Sequence, residues 1–185
     1  MIKKSEKLNL GSGNNIKADF INLDFKQDTG VDKVHNLNNY PWPFESESFK
    51  EIEAKNVLEH LDNFILAMEE IYRISSPGGL VKISVPYWNS SFAYIDPTHK
   101  KGFHELTFSF FDPDADYCRE RPYYSKARFK IKSFSFIIAP FAPYISLPFV
   151  KEIEIKNKIL KKIIGLIGNI FSNIILELRL ELERV

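Results

Sequence analysis

The chain has 185 residues, 44% hydrophobic and 26% charged, with a formal net charge of +1. That balance predicts one globular domain, 1–185, around a single core, and it argues against nucleic acid as partner, since polyanion binders carry a basic excess. One cysteine, Cys118, excludes an internal disulfide and fits a cytoplasmic setting, and the start MIKKSEKLNL has no apolar run of signal-peptide length. The aromatic content, with 16 Phe and 8 Tyr, predicts a packed aromatic core and an aromatic-lined pocket.

In chain order, Leu8–Leu10 is a short apolar strand closed by Gly11, and Phe20–Asp24 alternates and ends on an acid. Lys33–Asn36 is a third strand candidate. The stretch NNYPWPFESESF is a loop, because Pro41 and Pro43 remove backbone donors. Lys50–Ala54 alternates as a strand. Asn63–Ile74 is the first helix, with Asp62 as its expected cap and Phe64, Met68, Ile71 and Tyr72 on one face. The segment SSPGG stops it, and Leu80–Val85 follows as a β-branched strand. Strand, helix, turn and strand make a parallel α/β unit.

Beyond Pro86 the chain is aromatic and proline-broken, with a short helix expected at Glu105–Phe111. Arg128–Ile138 reads as a long strand, APFAPYISLP as a loop, Lys156–Ile174 as an amphipathic helix and Leu176–Glu183 as a strand with one buried face. The longest apolar run, KIIGLIGNIFSNIILEL, contains Gly, Asn and Ser and falls short of the roughly 20 residues of a membrane span. The Lys156–Ile174 helix is expected to pack on its own sheet. A wide apolar face and the cluster Lys156, Lys158, Lys161 and Lys162 keep a membrane-surface role or a dimer contact as alternatives.

Gly11-Ser12-Gly13 follows the first strand, but only Asn14–Asp19 separate it from Phe20. A dinucleotide fingerprint needs a third glycine and an acid roughly 20 residues on. Ile16 stands at the third position and Asp24 comes far too early, while no Gly-Lys-Ser/Thr follows for a P-loop. The two glycines allow a ligand close to the backbone, and Asp24 at the next strand end can accept from ribose hydroxyls. A ligand with a ribose and no phosphates, such as S-adenosylmethionine, meets those terms.

The series LNLGSG, INLD, VHNLNNYPWPF, KEIEAKNVLEHL, MEEIYRISSPGG and VKISVPYW resembles the class I S-adenosylmethionine-dependent methyltransferases, over about Leu8–Lys100. It looks most like the small subgroup with an abbreviated first crossover. The resemblance implies a Rossmann-like three-layer α/β sandwich with a mostly parallel sheet of order 3-2-1-4-5-7-6, its last strand antiparallel and its first helix abbreviated. Substrate or cap elements are expected at about 86–127 and 140–175. It also implies cofactor contacts from Leu10, Gly11, Ser12, Gly13, Asp24, Asn36, Leu37, Asn56 and Val57. Lys50 departs from the subgroup's Asp in a position away from the chemistry. Trp42, Pro43 and Phe44 are either core or adenine wall, and His60 is read as structural.

The implied activity is in-line methyl transfer to an oxygen or nitrogen nucleophile of a small-molecule, glycan or lipid-linked acceptor. The alternative is a non-catalytic S-adenosylmethionine-binding module or a membrane-surface partner protein. The acceptor is expected against Tyr87, Trp88, His99 and His104, with His99 as general base and Asp96 as its orienting partner. His99 and His104 have no evident third ligand, so no metal is expected. An Asp/Asn-Pro-Pro-Tyr/Phe motif is absent and Cys118 lacks a Pro-Cys context, which disfavours base methylation. The expected setting is cytoplasmic, or peripheral to a membrane.

Overall fold

The computed structural model of the chain describes residues 5–138 and 152–185. Among these, eight strands form one sheet: β1 (Lys7–Leu10), β2 (Ile21–Asp24), β3 (Lys33–Val34), β4 (Phe49–Lys55), β5 (Ser75–Pro86), β6 (Phe129–Ile138), β7 (Ile153–Ile155) and β8 (Glu177–Arg184). The helices are α1 (Phe64–Ile74), α2 (Asp116–Glu120) and α3 (Lys158–Ile170). The sheet order is β3-β2-β1-β4-β5-β8-β6-β7. β1 to β5 run parallel, and β8 inserts antiparallel between β5 and β6. This is the expected Rossmann-like order 3-2-1-4-5-7-6, with the short β7 added at the outer edge beside β6. The predicted loop APFAPYISLP, and residues 140–151 of the second cap element, lie outside the described residues.

Of the three expected layers, the described residues supply the sheet and one helical layer. Stepping from β1 to β2 moves toward one edge of the sheet, and stepping from β4 to β5 toward the other. Right-handed crossovers therefore fall on opposite faces. The β4–β5 crossover carries α1, whose Phe64, Ala67, Met68, Ile71 and Ile74 pack on Leu8, Leu10, Ile52, Val81 and Ile83. The crossovers on the other side, residues 11–20 and 25–32, are too short for a helix that spans the sheet.

The face beneath those short crossovers is polar. Lys82 pairs with Glu51 at 2.5 Å, Lys7 with Glu51 at 3.1 Å, and Lys17 with Glu53. Lys82 lies opposite Glu181 and Ser84 opposite Arg179 in the β5–β8 ladder. The missing first helix is replaced by two buried asparagines on this face. Asn9 Nδ2 donates to Asn15 O (2.8 Å) and to Asn22 Oδ1 (3.0 Å). Asn22 in turn accepts from Lys17 N–H (2.9 Å) and donates to Lys17 O (3.0 Å). The short crossover thus gains from side chains the hydrogen bonds a helix would make internally.

Four local expectations change. The cap of α1 is Asn63, whose Oδ1 accepts from Leu66 N–H at 3.0 Å, while Asp62 pairs with Lys100. SSPGG ends the helix by becoming the first residues of β5, around an irregular register opposite Phe49 and Glu51. The Glu105–Phe110 turn is a 3-10 helix.

The fourth change concerns α3, which is shorter than expected and seats in an unexpected way. Its buried residues are Gly165 and Gly168, against Phe136 and Ile175. Ile159, Leu166 and Ile170 are 70%, 66% and 68% exposed on the opposite side. Of the apolar stripe expected to pack on the sheet, Leu160, Ile163, Ile167 and Ile170 face outward, while Ile174 packs against the core.

Candidate functional site

Ligands bind open α/β sheets at the carboxyl ends of the strands, and there the glycine loop and Asp24 meet. Asp24 Oδ2 accepts from Gly13 N–H at 2.7 Å, and Oδ1 accepts from Lys26 N–H at 3.2 Å. Each oxygen keeps acceptor capacity beyond these bonds. Gly11 has φ +60°, and an added Cβ would lie 2.4 Å from Val57 Cγ2. Gly13 has φ +47°, and a Cβ there would meet nothing within 4 Å, so the loop presents bare backbone to open space. The Ser12 hydroxyl is buried without a partner. An orphaned donor beside open backbone and an acidic strand end fits a ligand with a polar tail and a ribose.

On the adenine side, Asn36 Oδ1 accepts from Asn38 N–H (3.0 Å), so its amide oxygen is engaged in its own turn. Leu37 is buried and its carbonyl accepts from Trp42 Nε1 (3.0 Å). That places Trp42 in the core rather than in a ligand wall. Asn56, at the end of β4, has φ +50° and donates its N–H to Ser84 O. It leads into a 3-10 turn, Leu58–His60.

Asn56 also lines a cleft of about 360 Å³ with Glu59, His60, Phe92, Ile95, Asp96, His99, Glu152 and Glu177. Since Val57 touches Gly11, adjacent residues serve the glycine loop and this cleft. Glu59 is 1% exposed and neither carboxylate oxygen has a hydrogen-bond partner. Burial pushes its carboxyl up to about 7, and the charges of Glu177 and Asp96 add to that. His99 Nε2 lies 4.0 Å from Glu59 Oε1, and the His99 and His60 rings are 4.6 Å apart. Burial, then His99, lowers the His60 pKa.

The expected His99–Asp96 pairing is not the side-chain arrangement found. Asp96 Oδ1 accepts from Thr98 N–H (2.8 Å) and Thr98 Oγ1 (2.7 Å), and Thr98 Oγ1 meets His60 Nδ1 (2.9 Å). Asp96 therefore orients His60. Tyr87, Trp88 and His104 gather in a separate aromatic group, with centroids 6.1–6.4 Å apart. None of the three lines the cleft. Tyr87 is fully buried and donates to Glu105 Oε2 (3.0 Å), while His104 Nδ1 accepts from Leu106 N–H as a helix cap. The residue that sequence reasoning passed over is Glu59. Its signal was an acid within VLEHL, where Val57, Leu58 and Leu61 are all buried.

Residues 12–83 match the family model described as a methyltransferase domain. No curated protein matches the sequence. Among solved structures, a SAM-dependent methyltransferase of Thermotoga maritima, described as a possible histamine N-methyltransferase, has TM-score 0.60 at 12% identity, covering 100% of this chain and 84% of that one. A SAM-dependent methyltransferase of Archaeoglobus fulgidus has TM-score 0.60 at 17% identity, covering 99% and 88%. Both likenesses are of fold. The family-model match from Ser12 to Ile83, together with the sheet order, gives the chain a match to a methyltransferase domain and the Rossmann-like methyltransferase fold, with which S-adenosylmethionine as cofactor is consistent.

Proposed function

We propose that this enzyme methylates an oxygen or nitrogen nucleophile of a lipid-linked acceptor, working at the cytoplasmic surface of a membrane. S-adenosylmethionine supplies the electrophilic methyl group. The backbone of Gly11–Gly13 holds the cofactor's amino-acid end, with the Ser12 hydroxyl as a polar contact, and Asp24 accepts from the ribose hydroxyls. Asn56 and Val57 separate that pocket from the cleft. Alignment across this wall is the enzyme's main contribution to an in-line displacement. Glu59, His60 and His99 are the polar groups that the acceptor's nucleophile meets, and Phe92 and Ile95 provide apolar contact beside them.

The observation that carries the lipid-linked reading is the outward face of α3. Ile159, Ile163, Leu166 and Ile170 form an exposed stripe, and Lys158 and Lys162 flank it. Apolar residues with basic flanks suit the boundary of an anionic bilayer. The C-terminal end of α3 is tied to the segment that reaches the cleft: Asn89 Nδ2 donates to Gly168 O (2.7 Å), and Ser91 N–H to Asn173 Oδ1 (2.6 Å). Phe92, Tyr94 and Ile95 continue the exposed apolar surface on that segment. No helix among the described residues is long and apolar enough to cross a membrane.

Two measurements test this. Formation of S-adenosylhomocysteine is expected with the organic-solvent extract of cells as acceptor source. Turnover with the aqueous extract alone would refute the lipid-linked reading. Co-sedimentation with vesicles containing anionic lipid is expected for the parent protein. It should fall more than tenfold for Leu166→Glu/Ile170→Glu, since burying each apolar side chain is worth about 1.5–3 kcal/mol. Unchanged sedimentation of that variant would remove α3 from the contact.

A further inference from the structure

We propose that Glu59, His60 and His99 bind a first-row divalent transition-metal ion at the wall of the acceptor cleft. One candidate ligand atom from each residue lies within 4.8 Å of the others. A tetrahedral shell with bonds of about 2.0–2.2 Å holds its ligand atoms roughly 3.4 Å apart, so side-chain adjustments of about 1 Å close the site.

Three observations argue for a cation here. The first is the unmet demand at the centre. Both Glu59 oxygens are buried without hydrogen-bond partners, a state native proteins rarely leave unexplained. The second is charge. Among the described residues the cleft is lined by Glu59, Asp96, Glu152 and Glu177, and by no lysine or arginine. Arg179 pairs with Glu152 and Glu177 without lining the cleft.

The third is the support behind His60. The Thr98 hydroxyl donates its single proton to Asp96 Oδ1, so toward His60 it must accept, and Nδ1 carries the ring proton. The lone pair is then on Nε2, free for an ion. A ring nitrogen held by a hydroxyl–carboxylate relay is the outer-shell arrangement that fixes a metal-binding histidine.

Two imidazoles and one carboxylate favour zinc or a similar ion over magnesium or calcium, which take oxygen ligands. Three protein ligands leave a coordination position for a molecule in the cleft. Any role of the ion toward the acceptor rests on the function proposed above. The site itself does not.

The test uses untagged full-length protein stripped with chelator, then titrated with Co²⁺ by visible absorption and with Zn²⁺ by calorimetry. One equivalent per chain is expected, with Zn²⁺ displacing Co²⁺. Glu59→Gln and His99→Ala are expected to lose at least 100-fold in affinity. Thr98→Val, an exposed position, should lose about 10–100-fold through the outer shell, while His104→Gln should bind as the parent does. Circular dichroism establishes that each variant is folded. Absence of binding by the folded parent, or undiminished affinity in Glu59→Gln and His99→Ala, overturns the proposal. S-adenosylmethionine binding, measured on the same metal-free samples, reports separately on the cofactor site.

Discussion

Replacing Gly11 by alanine puts a methyl group 2.4 Å from Val57 Cγ2 and 2.8 Å from Val57 Cβ, on a residue with φ +60°. Two costs follow. Holding a non-glycine residue in the left-handed region costs about 1–2 kcal/mol. Forcing a methyl into a filled space costs about 1–3 kcal/mol. The sum, about 2–5 kcal/mol, should lower the melting temperature by roughly 2–4 °C for each kcal/mol in a chain of this size.

The two parts separate in a double-mutant cycle. Val57→Ala removes both Cγ atoms and relieves the worst contact, leaving the backbone cost untouched. Gly11→Ala should therefore cost at least about 1 kcal/mol less in the Val57→Ala background, beyond the 0.3–0.5 kcal/mol scatter of independent sites. Urea unfolding of the four proteins measures this. Equal costs in both backgrounds would mean that the loop relaxes away from Val57, and the steric argument would fail. Calorimetry with S-adenosylmethionine should show weaker binding in the single mutant, partly restored in the double.

Asp24→Ala should weaken S-adenosylmethionine binding about 10–100-fold, since a hydrogen bond to a charged group is worth about 1.5–3 kcal/mol; wild-type affinity would remove Asp24 from the cofactor site. Asn22→Leu removes the acceptor of the Lys17 amide and one of the two acceptors of Asn9 Nδ2, and should destabilise by about 2–4 kcal/mol at about 1–2 kcal/mol per N–H left unpaired. Hydrogen exchange should then accelerate in residues 14–19, and unchanged protection would show that the loop stands without the network. Lys82, then Lys7, holds the Glu51 carboxyl below its ordinary range against the opposing effect of burial. A depressed acid contributes stability above its unfolded pKa and loses it as pH falls through the folded value. Glu51→Gln should accordingly flatten the stability profile below about pH 4.5 and, because Glu51 also raises the Lys82 pKa, reduce the loss of stability on the alkaline limb; an unchanged acid slope in urea titrations would refute the assignment.

The strands and α1 were legible in the chain itself because each has a face that must be buried, and alternation or 3.6-residue spacing reports that face directly. Leu8 and Leu10, Val81 to Val85, and Phe64 to Ile74 are read this way, and Gly11 and Asp24 follow as the punctuation of β1 and β2. Even the abbreviated crossover could be counted in residues. What holds it in place could not: Asn9 and Asn22 look like polar interruptions of short apolar strands, and become a hydrogen-bond frame only when β1 and β2 lie side by side.

The remaining features belong to tertiary structure for the same reason. Periodicity in α3 announces an apolar stripe but not the direction it faces. Docking decided that, through Gly165 and Gly168, which let the other side of the helix approach Phe136 and Ile175. Likewise Glu59 and His99 sit far apart along the chain. Only the closing of the post-β5 segment over the end of β4, with the Lys100 N–H on Glu59 O at 2.7 Å, brings His99 against a carboxylate sealed from water. Local sequence sets which face of an element is apolar; long-range packing sets what each face meets, and the chemistry of this cleft depends on the second.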